Sequence, residues 1–284
     1  MCNKSSGAVN RKYSFLSYKS EEMEIFGYVA AIFIGISLGL IGGGGSILTV
    51  PVLVYLFGID AFVATEYSLF IVGISSVVGS VSYFKKGLVN IKTALVFGVP
   101  SIISIFLTRN FILPLIPSKV FTISTLVVTK DILLLLIFAV LMILASYKMI
   151  QKRQARQTIH SDKNSTLLIL GEGSAVGMLT GLVGAGGGFM IIPALVNLLK
   201  IPMKVAIGTS LVIISLNSLI GFFTSMHTVS INWKLLVSVS SISILGIIIG
   251  AQLSKKIDGG KLKPAFGWFI LTMGIFIIVR EIFL

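Results

Sequence analysis

Long apolar runs alternate with short polar or basic connections along nearly the whole chain. Most of these runs approach the roughly 20 residues that an α-helix needs to cross a bilayer. The pattern therefore predicts an all-α polytopic membrane protein. Two runs, at 46–57 and 188–199, contain only 12 residues each and are too short to span alone. The runs lie near residues 25–41, 46–57, 61–84, 93–108, 132–147, 166–183, 188–199, 205–226, 235–253 and 265–283.

Composition agrees with a membrane location and argues against several other classes. Hydrophobic residues make up 55% of the 284 and charged residues 12%, which leaves too little polar surface for a water-soluble protein. The single cysteine, Cys2, excludes a disulfide framework, and His160 and His227 are too few for an imidazole-rich metal site. We therefore expect no metal site and no cofactor. The sequence also lacks an H-E-x-x-H motif, paired aspartates and a nucleophile with a base, so it predicts no enzyme.

The sequence contains an internal repeat. Residues 39–92, shifted by 142 positions, align without a gap on 181–234, with 19 of 54 positions identical. "GLIGGGGSILTVPVLVYLFGI" then lies over "GLVGAGGGFMIIPALVNLLKI". This register predicts two homologous halves. The expected divisions are a polar N-terminal tail at 1–24, in which Met23 is a candidate true start, a first transmembrane repeat at 25–147, a basic cytoplasmic linker at 148–165 and a second repeat at 166–284.

The orientation of the halves depends on how each glycine-containing segment crosses the membrane. If it crosses once as a broken helix, the halves are parallel, and the Lys and Arg residues after the tail divide ten to nine between the two sides. If it enters and returns as a hairpin, three further helices cross in each half, and the halves are inverted. Those charges then divide fourteen to five, as the positive-inside rule requires. The smaller group comprises Arg109, Lys119, Lys130, Lys234 and Arg280.

This distribution of positive charge also bears on partners. The net charge is +13, and its spread over short loops indicates a lipid bilayer rather than nucleic acid as the partner. The tail carries four positive residues that the hairpin arrangement would place outside, a conflict that a start at Met23 would remove. The oligomeric state stays open, and a homo-oligomer is compatible with the sequence.

The glycine clusters are the main candidates for a binding site. Unwound backbone at membrane depth persists only where protein or a watery cavity satisfies its polar groups. If short half-helices follow the clusters, their unpaired N–H groups face mid-membrane and favour an anion. The alternative is close helix packing, for which Gly35 with Gly39 and Gly177 with Gly181 have the right spacing. The predicted binding residues here are Gly42, Gly43, Gly44, Gly45, Ser46, Gly184, Gly186, Gly187 and Gly188.

Two repeated motifs resemble a known family. They are "GGGGSILTVP" with "ATEYSLF" and "GAGGGFMIIP" with "AIGTSLV". They resemble the TauE/SafE sulfite exporter family of bacterial membrane proteins, over residues 25–284. The resemblance implies transport of sulfite or related sulfur oxyanions and organosulfonates, usually outward across the plasma (inner) membrane. The first half departs from the pattern, since Glu66 and Tyr67 occupy the places of Gly208 and Thr209.

Four polar residues within the apolar runs are further candidates for anion binding. Ser68, Thr209 and Ser210 carry hydroxyl groups that are able to donate hydrogen bonds to an oxyanion, or to bond back to their own helices instead. Asn217 lies mid-span, where lining a site and bonding between helices are equally compatible with the sequence.

Two carboxylates are candidates for coupling or gating. A charge at the bilayer centre costs about 2.5–3.5 kcal/mol on insertion scales, so such a residue usually faces a cavity or a partner. Glu66 is expected either to couple transport to protons or to cap its helix near the outer surface, where it would stay hydrated. Glu172 is expected either to form a cytoplasmic gate or ion pair, or to lie solvated at the interface.

The function expected from the sequence is secondary transport of a small anion, by rearrangement of two inverted halves around a glycine-lined centre. The alternatives are a passive anion channel and an uptake permease, because direction is not encoded in this architecture.

Overall fold

The structure is a computed structural model and describes residues 5–43, 45–117, 119–123, 126–150, 164–184, 187–197, 201–254 and 259–283. The described residues of the first half form six α-helices. Helices α4 and α5 are joined by a π-helical segment at Thr108–Ile112. The helices are α1 (Ser5–Ile41), α2 (Ser46–Tyr55), α3 (Ala61–Phe84), α4 (Ile91–Leu107), α5 (Leu113–Leu115) and α6 (Lys130–Ile150).

The second half contains counterparts of α1–α4 and α6 in the same order. Its helices are α7 (Asn164–Val183), α8 (Gly188–Asn197), α9 (Met203–Ser225), α10 (Trp233–Leu253) and α11 (Gly259–Phe283), with a 3-10 turn at Met226–Thr228 after α9.

The helices confirm a multi-pass membrane protein. Five segments in the described part of the chain are long and apolar enough to cross a bilayer, and α2 is a shorter apolar helix, as its run length predicted. The five segments are Met23–Ile41, Ala61–Phe84, Ile91–Leu115, Met203–Thr228 and Trp233–Leu253.

A small β-hairpin interrupts the helical fold in the described part of the chain, and the sequence did not predict it. Strands β1 (Lys119–Ile123) and β2 (Leu126–Thr129) pair antiparallel between α5 and α6. The segment is rich in Val, Thr and Ile, whose branched side chains favour extended backbone.

The chain reverses at the first glycine cluster. Gly42 adopts a φ of +79°, which glycine reaches without steric cost, and its N–H donates to the Leu38 carbonyl at 2.7 Å. Helix α2 then returns along α1, so that the rings of Phe57 and Tyr28 meet with their centroids 5.4 Å apart. The segment is therefore a hairpin rather than a single broken crossing.

The second cluster reverses the chain in the same way. Gly184 has a φ of +71°, and its N–H donates to the Thr180 carbonyl at 2.8 Å. Gly187, with a φ of +65°, lies against Val176 and Thr180 of α7. Both halves therefore contain a glycine-broken helical hairpin.

The small-residue pairs pack helices of different halves together. Gly35 lies against the backbone of α10 at Ser243, and Gly177 lies against the backbone of α4 at Ser101. The shift of 142 positions relates Gly35 to Gly177 and Ser101 to Ser243, so these two contacts are equivalent. The close-packing interpretation of the small-residue pairs is confirmed here.

Helices α3 and α9 form the centre of the bundle and run antiparallel. The first part of α3 contacts the last part of α9, and the end of α3 contacts the start of α9. The pairs in contact are Leu69 with Gly221, Gly73 with Leu219, and Tyr83 with Gly208. Helices α3 and α9 are equivalent in the repeat, so equivalent helices of the two halves point in opposite directions in this pair.

Candidate functional site

The two glycine turns touch each other. A Cβ placed on Gly43 would overlap the backbone of Gly188, and a Cβ on Gly188 would lie 2.6 Å from the Gly43 Cα. Real Cβ atoms do not approach backbone so closely, so both positions need glycine for this contact. The turns from the two halves therefore meet, as the sequence analysis expected.

Each turn also packs against the central helix of the opposite half. A Cβ at Gly42 would lie 2.9 Å from Ile207 Cγ2 of α9, and a Cβ at Gly184 would overlap Thr65 of α3. Thr65 and Ile207 are equivalent positions in the repeat. The glycine turns thus connect the two halves through reciprocal contacts.

The start of α2 lacks a side-chain cap, and the Leu48 N–H donates to the Gly45 carbonyl at 3.1 Å. Gly45 is the N-cap and makes no side-chain capping bond, and the first N–H groups of any helix have no partner inside that helix. Ser46 is fully buried and donates to the Gly43 carbonyl at 2.7 Å, so its hydroxyl group stabilises the turn. Gly44 and Gly186, two of the predicted binding residues, fall outside the described residues.

Two hydroxyl groups at equivalent positions hold the loops that follow α3 and α9. Thr209 Oγ1 accepts a hydrogen bond from the Asn90 N–H at 2.9 Å. The Tyr67 hydroxyl accepts one from the Asn232 N–H, and Tyr67 is the counterpart of Thr209. The phenol of the first half therefore replaces the missing threonine, and the departure from the repeat pattern preserves this contact.

Ser68 and Ser210 are equivalent in sequence but not in bonding. Ser210 donates to the Ile207 carbonyl of its own helix at 2.8 Å. Ser68 is fully buried, and its hydroxyl group has no hydrogen-bond partner among the residues that the structure describes.

Asn217 links two helices and leaves one polar atom unused. Its Nδ2 donates to Ser101 Oγ of α4 at 2.6 Å, which agrees with the interhelix alternative. Its Oδ1 has no partner within the described ranges. Buried polar groups normally do have partners, and the same lack is found for three hydroxyl groups near the middle of α3 and α9, those of Ser75, Ser76 and Ser218.

Glu66 is bonded through both of its carboxylate oxygens. It is 0% exposed and forms an ion pair with Nη1 of Arg109. Ser225 Oγ of α9 donates to its second oxygen at 2.8 Å. The expectation that Glu66 stays hydrated near the surface is wrong, because three helical segments enclose it.

Arg109 is the residue that the sequence analysis missed. It was counted among five loop charges on the outer side, but it lies in the π-helical segment after α4 and is 3% exposed. An arginine at the end of an apolar run and a carboxylate inside another run were the available signals, since charges at membrane depth usually pair.

Glu172 lies two turns into α7 and is half-buried. Its neighbour Gly173 packs against the Phe97 carbonyl of α4, at 2.7 Å from a Cβ built on the glycine. This carboxylate therefore lies beside the interface between α4 and α7.

A groove of about 460 Å³ lies between α1, α2 and Met273 of α11. Its lining is apolar apart from Ser37, whose hydroxyl group donates to the Ile34 carbonyl at 2.9 Å. The groove lacks the donors that an anion needs. Within the described ranges, no three His, Cys, Asp or Glu side chains are grouped so that they could hold a metal ion.

Broken helices that meet between two repeated halves of a helical membrane protein are typical of secondary transporters. The chain belongs to the family described as "Sulfite exporter TauE/SafE", whose family model matches residues 28–277. The resemblance seen in the two repeated motifs is thus confirmed. This family is one of membrane transporters rather than enzymes.

Named relatives are similar along most of the chain. A "Probable membrane transporter protein" of Xylella fastidiosa (strain 9a5c) is 28% identical over 256 residues, which cover 87% of this chain and 92% of the relative. The "Probable membrane transporter protein YunE" of Bacillus subtilis (strain 168) is 27% identical over 280 residues, 90% of this chain and 99% of the relative. No solved structure matches the chain.

Proposed function

We propose that this protein is a secondary transporter of a small oxyanion, namely sulfite, a related sulfur oxyanion or a small organosulfonate. We propose outward transport across the plasma membrane. The family description supports the sulfur chemistry and the direction. The observation that carries the proposal is the contact between the two glycine turns at Gly43 and Gly188.

The proposed binding site combines the backbone donors that begin α2 and α8 with polar groups of α3 and α9. Helix N-termini attract negative charge without a charged side chain. Ser68 and Asn217 add a buried hydroxyl group and a buried amide that are not fully bonded in the described structure. The remaining residues of the site are Gly42, Gly44, Gly45, Ser46, Gly184, Gly186, Gly187, Thr209 and Ser210.

The proposed orientation of the halves is inverted. The antiparallel packing of the equivalent helices α3 and α9 supports it, because equivalent helices of two parallel halves would run in the same direction. The hairpins α1–α2 and α7–α8 would then enter from opposite sides and bring their turns together at mid-membrane. Rocking of one half against the other would expose this centre to each side in turn.

Different polar interactions lie at the two ends of the central α3–α9 pair. One end carries the ion pair of Glu66 and Arg109 with Ser225. At the equivalent place of the other end, the Tyr83 hydroxyl donates to the Gly39 carbonyl at 3.1 Å and lies 3.1 Å from Ser254 Oγ. We assign gating to Glu66 at the ionic end, where its protonation would release Arg109 and would couple opening to protons. Glu172, on α7, is the candidate cytoplasmic gate.

The test is flux through proteoliposomes that contain the purified full-length chain. Vesicles loaded with sulfite, sulfate, thiosulfate or a small sulfonate are compared with and without a proton gradient. We expect efflux of at least one of these anions, accelerated by the same external anion through counterflow. Flux without counterflow would instead indicate a passive channel, and no flux of any of the four would refute the proposed substrate class.

A further inference from the structure

The guanidinium group of Arg109 is only partly bonded. Its Nη1 contacts Glu66 and Ser225, whereas Nε and Nη2 have no hydrogen-bond partner in the part of the chain that the structure describes. The whole side chain is 0% exposed. A guanidinium group has one N–H on Nε and two on Nη2, and buried charged donors without acceptors are costly.

The unused edge has the shape that an oxyanion requires. Nε and Nη2 present parallel N–H groups on one side of the planar group, which match two oxygens of a carboxylate, phosphate or similar anion. Glu66 binds at Nη1 and leaves Nε and Nη2 without an acceptor among the described residues. Chloride is a single atom, so it cannot place a separate oxygen against each of these two N–H groups.

The ion pair lies beside the second glycine turn. Thr65, which precedes Glu66, packs against Gly184 of that turn. Thr108, which precedes Arg109, lies 2.8 Å from a Cβ built on Gly181, one turn earlier in α7. The residues that precede both members of the pair therefore contact the hairpin whose backbone belongs to the proposed site.

The other half offers no equivalent group. The shift of 142 positions relates Glu66 to Gly208, Ser225 to Tyr83 and Arg109 to Ala251. Arg109 therefore has no counterpart in the second half, although other contacts between the halves are reciprocal. This asymmetry is expected of a ligand for one anion rather than of a packing element needed twice.

We infer that Arg109 is a direct ligand of the oxyanion, through Nε and Nη2, at the flank of the second glycine turn. The inference rests on the proposed function and adds a charged side chain to a site otherwise built from backbone and hydroxyl groups. It also places the Glu66 carboxylate and the anion on the same guanidinium group, where the negative charge of Glu66 opposes anion binding.

The test measures how sulfite and sulfate raise the melting temperature of the purified full-length protein, against chloride at equal ionic strength. A ligand that binds only the folded state raises this temperature as its concentration exceeds the Kd. We expect oxyanion-specific stabilisation of the wild-type protein. Arg109→Lys keeps the charge but lacks the fork, so we expect an apparent affinity lower by about 10- to 100-fold, with the response to chloride unchanged. The matched control is Arg280→Lys, since Arg280 lies at the end of α11 over the Tyr55 ring.

A second variant separates ligation from structural support. Glu66→Gln removes the opposing negative charge, so the oxyanion should stabilise this variant more than it stabilises the wild-type protein. A purely structural Arg109 would give an equal or smaller effect. The charge-balanced Glu66→Gln/Arg109→Gln variant should remain folded and lose the oxyanion response.

Three outcomes would overturn the inference: no oxyanion-specific stabilisation of the wild-type protein, the same affinity in Arg109→Lys, or no gain in Glu66→Gln. Flux distinguishes this failure from that of the proposed function. If Arg109→Lys transports sulfite with an unchanged KM, the transporter stands and the ligand role fails. If the wild-type protein binds oxyanions through Arg109 but moves none of them, the ligand role stands and the transporter fails.

Discussion

At the scale of single residues, the pairing of Glu66 with Arg109 decides the chemistry of one end of the molecule. Both side chains are withdrawn from solvent, and a buried charge is tolerated only when it is paired and hydrogen-bonded. Ser225 supplies an additional hydrogen bond from the opposite half. This cluster therefore joins α3, the end of α4 and α9 through charge rather than through apolar contact.

Removal of the carboxylate alone should be costly in chloride buffer. Glu66→Gln leaves the Arg109 charge without its counter-ion, which typically destabilises a protein by about 3–5 kcal/mol. The melting temperature in detergent should fall accordingly, and the charge-balanced double variant should recover most of the loss. Glu24→Gln, at an exposed position of α1, is the control, and an equally small effect in both single variants would contradict the prediction.

The hydroxyl pair of Tyr67 and Thr209 makes a second prediction at this scale. Tyr67→Phe removes the acceptor of the Asn232 N–H at the start of α10. Thr209→Val removes the acceptor of the Asn90 N–H at the start of α4. Each should lower the unfolding free energy by about 1–3 kcal/mol, and by similar amounts, because the two contacts are equivalent. Thermal melts of both variants measure this, with Tyr28→Phe as the control, since the Tyr28 ring packs edge-on against Phe57. A loss in only one of them would show that the contacts are not interchangeable.

At the scale of elements, the glycine hairpins bring unwound backbone of one half into contact with backbone of the other. The positive φ values at Gly42, Gly184 and Gly187 reverse the chain. The absence of side chains at Gly43 and Gly188 lets the two turns touch. The clusters thus serve both backbone conformation and close approach, which the sequence analysis treated as alternatives.

Even the smallest side chain should disrupt this contact. In Gly43→Ala or Gly188→Ala, the added Cβ overlaps the backbone of the other turn, and overpacking of this kind typically costs about 1–3 kcal/mol. We expect oxyanion flux to fall to the level of empty vesicles while the protein stays in the membrane. Gly171→Ala is the matched control, since nothing lies within 4 Å of the added Cβ. Normal flux in both turn variants would show that the contact is dispensable.

At the scale of the whole molecule, the two halves exchange equivalent contacts around the glycine turns. Gly42 with Ile207 repeats as Gly184 with Thr65. The equivalent helices α3 and α9 pack antiparallel, which supports the proposed inverted orientation of the two halves. The positive-inside distribution points the same way, and it does not depend on Arg109, which is buried rather than in a loop.

Labelling with an impermeant thiol reagent tests the orientation. Lys85 and His227 are equivalent, exposed positions after α3 and α9, and Cys2 is the only native cysteine. In a Cys2→Ser background, Lys85→Cys and His227→Cys should be labelled from opposite sides of the membrane. Reaction of both from the same side would rule out inverted halves, and a cysteine-free sample provides the background.

The sequence by itself determined the apolar spans, the two-fold repeat, the breaks at the glycine clusters and the family. These features depend on hydropathy, residue spacing and backbone preference, which are properties of short stretches of chain or of their repetition. Their locations agreed with the helices, and the short runs after the glycines became α2 and α8.

Only the tertiary structure decided which polar groups meet. Glu66 and Arg109 come from different helices, and the choice between hydration and burial for Glu66 depends on what packs around it. Tyr67 accepts from Asn232 as Thr209 accepts from Asn90, because its longer side chain reaches the equivalent N–H group, and residue type alone does not reveal this. The partner of a buried polar side chain is set by helix packing across the membrane, and no local pattern in the sequence records that packing.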